Sequence, residues 1–500
     1  PVFFAKATSA RIEIRTAAEL VQFAADVNAG TGAQLMNVLL MNDIDLKDVA
    51  AWTPIGNGTF AATTAVSTPS GAAFEGTFDG QGYALRNLKM AATLTGDNQA
   101  YGLFGVLKGA TVKNLVLGAE TGDTGSFTVS GSGVTSTGVI AGASVESTIE
   151  DCTSYLPMEC LGNGASGKLM TMGLVGFVYG AGTSDETVTK LIGLKNYGAM
   201  KAVPGAANAN GFNSTQVGCI AGLSNTSRTS TFRNLITRCA NYGDMTVSTG
   251  RASGIVAAAN TFTVVSECEN HGDMLNTYAE STGGRLGNIT CILGTTSVVD
   301  GCTNYGDIVA TNAKTHAGGL VCLTNSADSE VLNSANYGNV IADLTTYRGT
   351  LVANINNGAK LDNNTAGGGV GSYNGGNYVM VQIDETNYMD YIGLIKTGNE
   401  DKVTNTKYGG DISTAKGIRT ADDLMAFAAA VNAGGSLDEW LNEDGEVCLL
   451  TNIDMSGVTE WTPIGKATFA LASNKLTVTG TPFAGHFNGQ GYRIRNLKMV

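Results

Sequence analysis

Apolar residues near the start of the chain recur at the interval of an α-helix. Four of them occupy positions i, i+3, i+4 and i+7 and therefore share one side of a helix: Leu20, Phe23, Ala24 and Val27. Thr16 precedes the first of them, and Glu19 stands three residues after Thr16, which is the spacing of a capping box. The pattern predicts a short amphipathic helix with one buried face.

The same helix is predicted a second time near the other end of the chain. The phrase "IRTAAELVQFAADVNAG" from Ile14 returns as "IRTADDLMAFAAAVNAG" from Ile418, and "FDGQGYALRNLKM" from Phe78 returns as "FNGQGYRIRNLKM" from Phe487. The shared order of these phrases predicts two copies of one module. Because an open solenoid end invites aggregation, we expect each helix to cap the first coil of an array. We also expect the second module to continue past Val500 with a phrase like "GLFG".

A short motif is repeated between the two modules. Its five copies read "LKNYGAM", "CANYGDM", "CENHGDM", "CTNYGDI" and "SANYGNV", and an apolar glycine phrase such as "GLVG" or "GCIAG" precedes each copy. A unit of roughly thirty residues with short strands and no helical periodicity suits one coil of a solenoid. The predicted fold class is all-β: a right-handed parallel β-helix with short amphipathic capping helices and the start of a second similar module.

Equivalent positions of successive coils stack about 4.8 Å apart, so the motif predicts columns of like residues. Three cysteines form an internal column and are expected to be buried and reduced: Cys239, Cys268 and Cys302. The motif asparagines form a column of amides that hydrogen-bond along the solenoid axis: Asn196, Asn241, Asn270, Asn304 and Asn336. The aromatic residues form a partly exposed column and are the candidate binding residues: Tyr197, Tyr242, His271, Tyr305 and Tyr337.

Three carboxylates follow the motif at equivalent places: Asp244, Asp273 and Asp307. Like charges at this spacing repel, so each must be solvated, bound to a backbone amide or shared with a cation. Turn capping by the carboxylates is the favoured interpretation, because Ala199 and Asn339 interrupt the column and no Lys or Arg recurs beside it. Calcium binding and catalysis are the alternatives, and no other cofactor is expected.

The repeats divide the chain into four regions. Residues 1–100 hold the capping helix and first coils, and residues 101–366 hold the repeat array. Residues 367–417 depart from the pattern and are predicted to form a junction with a hairpin. Residues 418–500 hold the cap and first coils of the second module.

Composition narrows the range of partners. The chain has 67 Gly but only 7 Pro, which excludes collagen. With 43% hydrophobic and only 15% charged residues, its composition is also not that of a disordered chain. A net charge of -13 opposes a nucleic-acid or anionic-membrane partner, and no apolar stretch reaches the length of a membrane helix. Nine Cys without a CxxC pair, and only 3 His, argue against a zinc site.

The glycine phrases "GLFG" and "GLVG" resemble the GLUG motif. In addition, "DIDL", "WTPIG", "FDGQGY", "NLKM" and "GLFG", in that order, resemble the modules of large secreted or surface proteins of gut Bacteroidetes. The resemblance covers Ile14 to Val352 and again Ile418 to Val500.

Such proteins are generally regarded as adhesins or uncharacterised surface proteins, and the resemblance implies no catalytic residues that could be carried over. With the repeat array, the acidic composition and the lack of a catalytic motif, the expected function is a non-enzymatic secreted or cell-surface scaffold, an adhesin that binds a glycan or a surface protein. The alternative function is a carbohydrate-active enzyme, a polysaccharide lyase or glycoside hydrolase, because enzymes resembling this fold use acidic clusters in a groove of the β-helix.

Overall fold

The computed structural model describes residues 11–60, 69–131, 133–162, 170–202, 215–227, 229–248, 250–277, 284–343, 347–355, 358–374, 377–381, 383, 386–395, 400–408, 416–418, 420–442, 445–450, 453–455, 458–472, 475–489, 494–495 and 497–498. The chain forms two compact units, Pro1–Gly409 and Gly410–Val500. No helix in these described ranges is long and apolar enough to cross a membrane.

The first unit is a parallel β-helix, as predicted. From Thr77 onward its chain visits four sheets in a fixed order, from sheet 1 to sheet 4, and then returns to sheet 1 one coil further along. Neighbouring strands within each sheet are parallel, except for one antiparallel hairpin at the end of sheet 3. The right-handed sense of the coils stays a prediction.

The strands of each sheet are given in chain order. Sheet 1 contains Arg11–Ile14, Asn37–Leu40, Thr77–Asp79, Thr111–Lys113, Thr148–Glu150, Lys190–Ile192, Asn234–Thr237, Thr263–Ser266, Val298–Asp300, Glu330–Leu332, Lys360–Asp362 and Val403–Thr404. Sheet 2 contains Ile44–Asp45, Ala84–Arg86, Val116–Leu117, Thr153–Ser154, Lys195–Asn196, Ala240–Asn241, Glu269–Asn270, Thr303–Asn304, Ala335–Asn336, Thr365–Ala366 and Lys407–Tyr408.

Sheets 3 and 4 complete each coil. Sheet 3 contains Lys89–Leu94, Ser126–Gly131, Met158–Gly162, Met200–Ala202, Met245–Val247, Met274–Asn276, Ile308–Ala310, Val340–Ile341, Val370–Asn374 and Asn377–Val381. Sheet 4 contains Gln99–Tyr101, Phe104–Lys108, Thr135–Val145, Met170–Gly180, Thr215–Gly218, Ala221–Thr226, Arg251–Ser253, Val256–Thr261, Arg285–Gly287, Thr290–Thr295, His316–Gly318, Val321–Thr324, Arg348–Gly349, Val352–Ile355 and Leu394–Ile395. Most apolar glycine phrases lie where a coil passes between two strands of sheet 4.

The interior is a continuous apolar core built from columns of like residues. The inward column of sheet 1 shows the pattern, since its members face one another in register and are fully buried: Val112, Ile149, Leu191, Ile236, Val265, Val299, Val331 and Leu361. Burying one such side chain contributes about 1.5–3 kcal/mol. Each added coil therefore contributes a similar free energy of burial through this column.

Single residues in the left-handed conformation turn the chain from sheet 1 into sheet 2. Asn333 and Asn363 occupy this corner with φ of 49° and 56°, a region that asparagine enters more readily than most residues. Nδ2 of Asn333 donates to Oδ1 of Asp300 in the preceding coil, and Nδ2 of Asn363 donates to Oδ1 of Asn333, each at 2.7 Å. The corner is thus tied to its neighbours by side chains as well as by backbone.

The helix Ala17–Asn28, here called the first cap helix, covers the first coil. Thr16 and Glu19 form the predicted capping box, and the four residues of the apolar stripe are buried. The ring of Phe23 packs edge-on against that of Phe74, with centroids 5.9 Å apart. Trp52 is 5% exposed, and its indole Nε1 donates to carbonyl oxygens of the next coil, so its ring is held inside the solenoid.

The four sheets continue beyond the predicted end of the array at 366. Residues 367–417 include the expected hairpin, Val370–Asn374 with Asn377–Val381. Leu394–Ile395, Val403–Thr404 and Lys407–Tyr408 nevertheless add parallel strands to sheets 4, 1 and 2. The sequence motif ends before the coils do, because backbone pairing does not require it.

Short helices interrupt the coils. The structure has a four-residue α-helix, Tyr388–Tyr391, and 3₁₀ turns at Ala33–Leu35, Asp185–Thr187 and Glu400–Lys402.

The second unit contains the helix Ala421–Ala433, here called the second cap helix, which has the same capping box and four buried apolar residues. Glu446–Cys448 pairs with His486–Asn488, and Ile453–Asp454 pairs with Ile494–Arg495, both in parallel. Lys466–Ala472 and Lys475–Thr481 form an antiparallel hairpin.

None of the nine cysteines forms a disulfide and all are buried, including the expected column of Cys239, Cys268 and Cys302. Burial raises the pKa of Cys268 well above its ordinary value, and hydrogen bonds with Cys239 and Cys302 raise it further. The Cys268 thiol therefore remains protonated, and the three buried cysteines of this column serve as small core side chains.

The two cap helices should each stabilise their own unit. Replacing Leu20 and Phe23 by Ala, or Leu424 and Phe427 by Ala, removes fully packed side chains, and each change should cost roughly 2–5 kcal/mol. Urea unfolding followed by hydrogen exchange would assign the loss to a unit. Val21→Ala is the matched control, because Val21 lies on the exposed side of the first cap helix. A neutral result for the second pair would contradict a capping role for that helix.

His316 should make the first unit less stable in mild acid. Its ring stacks on Tyr347 with centroids 4.1 Å apart, and burial, aided by Arg285, lowers the pKa of His316 to about 4 from 6.5. Between these values the unfolded chain binds a proton that the folded chain does not, so the free energy of unfolding falls as pH drops from 6.5 to 4. His316→Phe keeps an aromatic ring at this position and should flatten the pH dependence of the urea midpoint. Parallel pH profiles for the two chains would refute this prediction.

Candidate functional site

The repeated motif lies at the corner between sheets 2 and 3. Asn241 ends one strand of sheet 2 and Met245 begins the next strand of sheet 3, so Tyr242, Gly243 and Asp244 form the corner itself. The other motif copies occupy the same place in their own coils. We call the resulting row of motif residues the corner stripe.

The asparagines form the predicted ladder beneath the corner stripe, and all five are buried. Nδ2 of Asn196 donates to Oδ1 of Asn241 at 2.8 Å, and the same bond follows from Asn241 to Asn270 and from Asn270 to Asn304. Asn304 continues it to Asn336 at 2.7 Å. Each amide also donates to the carbonyl oxygen two residues ahead. The ladder therefore fixes both the spacing of the coils and the shape of each corner.

The motif glycine is required because the coils approach closely here. A Cβ atom at Gly272 would clash with the carbonyl oxygen of Gly243, and one at Gly306 would clash with that of Gly272. The main chain thus occupies the space in which a side chain would lie, and any other residue would push two coils apart.

The aromatic residues stack on one another along the corner stripe. Ring centroids are 4.7 Å apart for Tyr197 and Tyr242 and for each side of His271, and 5.7 Å apart for Tyr305 and Tyr337. All five predicted residues are therefore brought together. Within this column the ring faces cover one another.

Tyr155 extends the column and was not predicted. Its ring stacks on Tyr197 with centroids 5.0 Å apart. The surrounding sequence, "TSYLPM", lacks both the asparagine and the glycine of the motif. The register of Thr153–Ser154 with Lys195–Asn196 establishes the match. The signal in the sequence is that Cys152 and Met158 occupy the places of the motif's Cys and Met.

Exposure varies along the ring column. Tyr197 is 40% exposed, whereas His271 is buried. The imidazole Nε2 of His271 lies 3.0 Å from Oε2 of Glu269, and this hydrogen bond lowers the pKa of the Glu269 carboxyl. His271 is thus held by ring stacking on both sides and by a carboxylate at its edge.

The three aspartates cap the backbone of the next coil. Oδ1 of Asp244 accepts from the amide of Asp273 at 3.1 Å, Oδ1 of Asp273 accepts from Asp307 at 2.9 Å, and Oδ1 of Asp307 accepts from Asn339 at 2.7 Å. This geometry is the turn-capping interpretation that the sequence favoured. Within the described ranges no group of three or more His, Cys, Asp or Glu side chains could hold a metal ion.

A shallow depression of about 450 Å³ adjoins the exposed end of the corner stripe. Its lining includes Pro157, Glu159, Ala199, Lys201 and Asp244. Ala199 stands where later coils have an aspartate, and Lys201 pairs with Glu159 at 2.8 Å on the outer side of sheet 3. The arrangement can offer hydroxyls, one ion pair and an apolar floor to a ligand lying along the corner.

Comparison with known proteins adds little to this geometry. No family model matches the chain, and no curated protein matches it. Among solved structures, one similar chain comes from Bacteroides ovatus and is described as a proposed immunoglobulin A1 protease. The match has a TM-score of 0.36 and 12% identity, and it covers 80% of this chain and 84% of that chain.

The asparagine ladder should be more sensitive in its middle than at its end. Asn270→Ala removes a donor and an acceptor from buried neighbours, at about 1–3 kcal/mol for each group left unsatisfied. Asn196→Ala should cost less, because Oδ1 of Asn196 accepts no hydrogen bond in the described part of the chain. Urea unfolding of both variants tests the order. An equal or larger loss for Asn196→Ala would mean that the ladder is not what stabilises the corner.

Proposed function

We propose that the chain is a secreted or cell-surface scaffold of the adhesin type, related to the GLUG-motif repeat proteins of gut Bacteroidetes, that binds a glycan or a surface protein along the corner stripe. The ligand would lie across the ring column, from Tyr155 toward Tyr337, and would be held without chemical turnover. Calcium has no assigned part in this binding.

The observation that carries the proposal is the stacked ring column with an exposed end. The rings are held at 4.7–5.7 Å by their neighbours, and the buried asparagine ladder holds the backbone from which they project. A ligand therefore meets side chains that lose little conformational entropy on binding, and preordering of this kind favours affinity.

The chemistry of the column suits a ligand rich in hydrogen-bonding groups. Tyrosine is favoured at binding surfaces because it joins an apolar ring to a polar tip. Since the ring faces stack on one another, the ligand would use ring edges and phenol hydroxyls, as a hydroxyl-rich glycan can. The net charge of -13 disfavours a strongly acidic ligand and leaves neutral glycans and basic protein surfaces as the fitting partners.

Binding should depend on the exposed tyrosine. The purified chain would be screened against neutral and acidic glycans and against surface proteins, with binding measured by calorimetry. Tyr197→Ala should weaken binding at least tenfold, and Tyr197→Phe, which keeps the ring stack, should weaken it less. Tyr83→Phe is the matched control, because Tyr83 is similarly exposed but lies outside the column.

The same screen distinguishes a scaffold from an enzyme. Saturable binding without new reducing ends or unsaturated products supports the scaffold. Turnover of a polysaccharide by the purified chain would overturn it in favour of a lyase or hydrolase. Binding that is unchanged in Tyr197→Ala would overturn the assignment to the corner stripe.

A further inference from the structure

A column of polar side chains runs along the outer side of sheet 4. Its members lie opposite one another on successive coils and are here called the arginine column: Gln216, Arg251, Arg285 and His316. In each coil the next residue along the strand, for example Ala252 or Leu286, is fully buried in the main core. Because successive residues of a strand point to opposite faces, the arginine column faces away from that core.

The column places two guanidinium groups side by side. Arg251 lies directly opposite Arg285 in the pairing of sheet 4, and neighbouring strands are about 4.8 Å apart. Both side chains are half-buried, so solvent screens their charges less than at an open surface. Burial lowers the pKa of Arg251, and the charge of Arg285 lowers it further. Unlike a row of amides or rings, this row repels itself, and an anion between the two groups would relieve the repulsion.

The arginine column borders a second apolar cluster, which is separate from the main core. This cluster lies on the outer side of sheet 4 and includes Leu223, Ala258, Cys291, Ile292 and Cys322. The thiol of Cys291 donates to the carbonyl oxygen of Arg285 at 3.2 Å. The cluster therefore lies directly beside the base of the column.

The positive charge of the column extends into this cluster. Burial opposes a charged thiol at Cys291, yet its pKa is lowered, first by a hydrogen bond with Cys322. The charges of Arg251 and Arg285 lower it further. In the main core, by contrast, burial raises the pKa of Cys268. The outer side of sheet 4 is thus locally positive, although the whole chain has a net charge of -13.

Gln216, at one end of the column, carries an unsatisfied acceptor. The residue is 6% exposed, and its amide oxygen Oε1 is buried and accepts no hydrogen bond from the described part of the chain. It lies opposite Arg251 and therefore projects from the same face of the sheet. Since a buried acceptor normally has a donor, Gln216 indicates a ligand that brings a hydroxyl or N–H group beside the arginines.

Aromatic rings close the other end of the column. The ring of His316 stacks on that of Tyr347, with centroids 4.1 Å apart and the ring planes at 3°. Burial, together with the charge of Arg285, lowers the pKa of His316 to about 4, so this ring is neutral near neutral pH. The charge of the site is therefore carried by Arg251 and Arg285, with a neutral amide on one side and a neutral ring on the other.

We propose that the arginine column binds the carboxylate of an acidic sugar. The carboxylate accepts hydrogen bonds from Arg251 and Arg285, and a hydroxyl of the sugar donates to Oε1 of Gln216. Guanidinium groups match the planar geometry of a carboxylate. A sulfate ion has no hydrogen to donate and would leave Gln216 unsatisfied, whereas a neutral sugar would leave the repulsion between the arginines unrelieved. The inference does not depend on the corner stripe or its ligand.

Methyl β-glucuronide is the probe, and methyl β-glucoside is its neutral counterpart. Calorimetry with the full chain should show saturable binding of the glucuronide, and the glucoside should bind roughly tenfold more weakly or less. These ligands test the unaltered protein, so the result does not depend on the folding of a variant. Absence of saturable glucuronide binding, or equal binding of the two sugars, would overturn the proposal. Sodium sulfate that displaces the glucuronide at equal concentration would overturn the assignment to a sugar.

Variants of the chain locate the site. Arg251→Gln and Arg285→Gln should each weaken glucuronide binding roughly tenfold, because each removes a charge-assisted hydrogen bond. Gln216→Leu should also weaken it. Arg238→Gln is the matched control, because Arg238 is exposed and lies outside the column, and urea midpoints confirm that each variant is folded.

A variant of the corner stripe separates this inference from the proposed function. Tyr197→Ala should leave glucuronide binding unchanged. Glucuronide binding that is lost in Tyr197→Ala but kept in Arg285→Gln would place the acidic sugar on the corner stripe and overturn the arginine column as its site.

Discussion

Parallel pairing between successive coils is the constraint on which the rest of the structure depends. Because neighbouring backbones are hydrogen-bonded in register, a residue repeated once per coil comes to lie against its own copies. Asn241 lies opposite Asn270, and Val265 opposite Val299. Each repeated side chain must therefore be able to pack against, or hydrogen-bond with, an identical side chain in the next coil. Amides can donate and accept in turn, rings can stack and methyl groups can pack, whereas carboxylates need a backbone amide to separate their charges.

Residues that repeat in the sequence were predictable for this reason. The asparagine, ring and cysteine columns require only that equal motifs occupy equal places, and the β-helix follows from the length of the repeat. Tyr155 escaped prediction because Ser154 and Leu156 stand where the motif has asparagine and glycine, although Cys152 and Met158 match the motif. The final coil, which ends at Lys407–Tyr408, was not predicted for a related reason. Backbone hydrogen bonds can form with many different side chains once the preceding coil provides a strand edge.

The contrast between Trp52 and Trp461 shows where local sequence stops being informative. Both stand in the phrase "WTPIG", yet one is buried and the other lines an open depression. The indole hydrogen of Trp52 is accepted by the carbonyls of Gly102 and Leu103, which lie about fifty residues away in sequence. The phrase therefore does not show which distant residues a tryptophan will contact, because the register of the coils supplies them.

The asparagine ladder tolerates coils of very different length. Successive motif asparagines are 45, 29, 34 and 32 residues apart, yet the bonds between them stay at 2.7–2.8 Å. Insertions between two rungs are thus absorbed away from the ladder. Such an architecture can diversify by lengthening one loop at a time and can elongate by duplicating a whole coil. Selection can in this way remodel the surface while the axial scaffold is inherited unchanged.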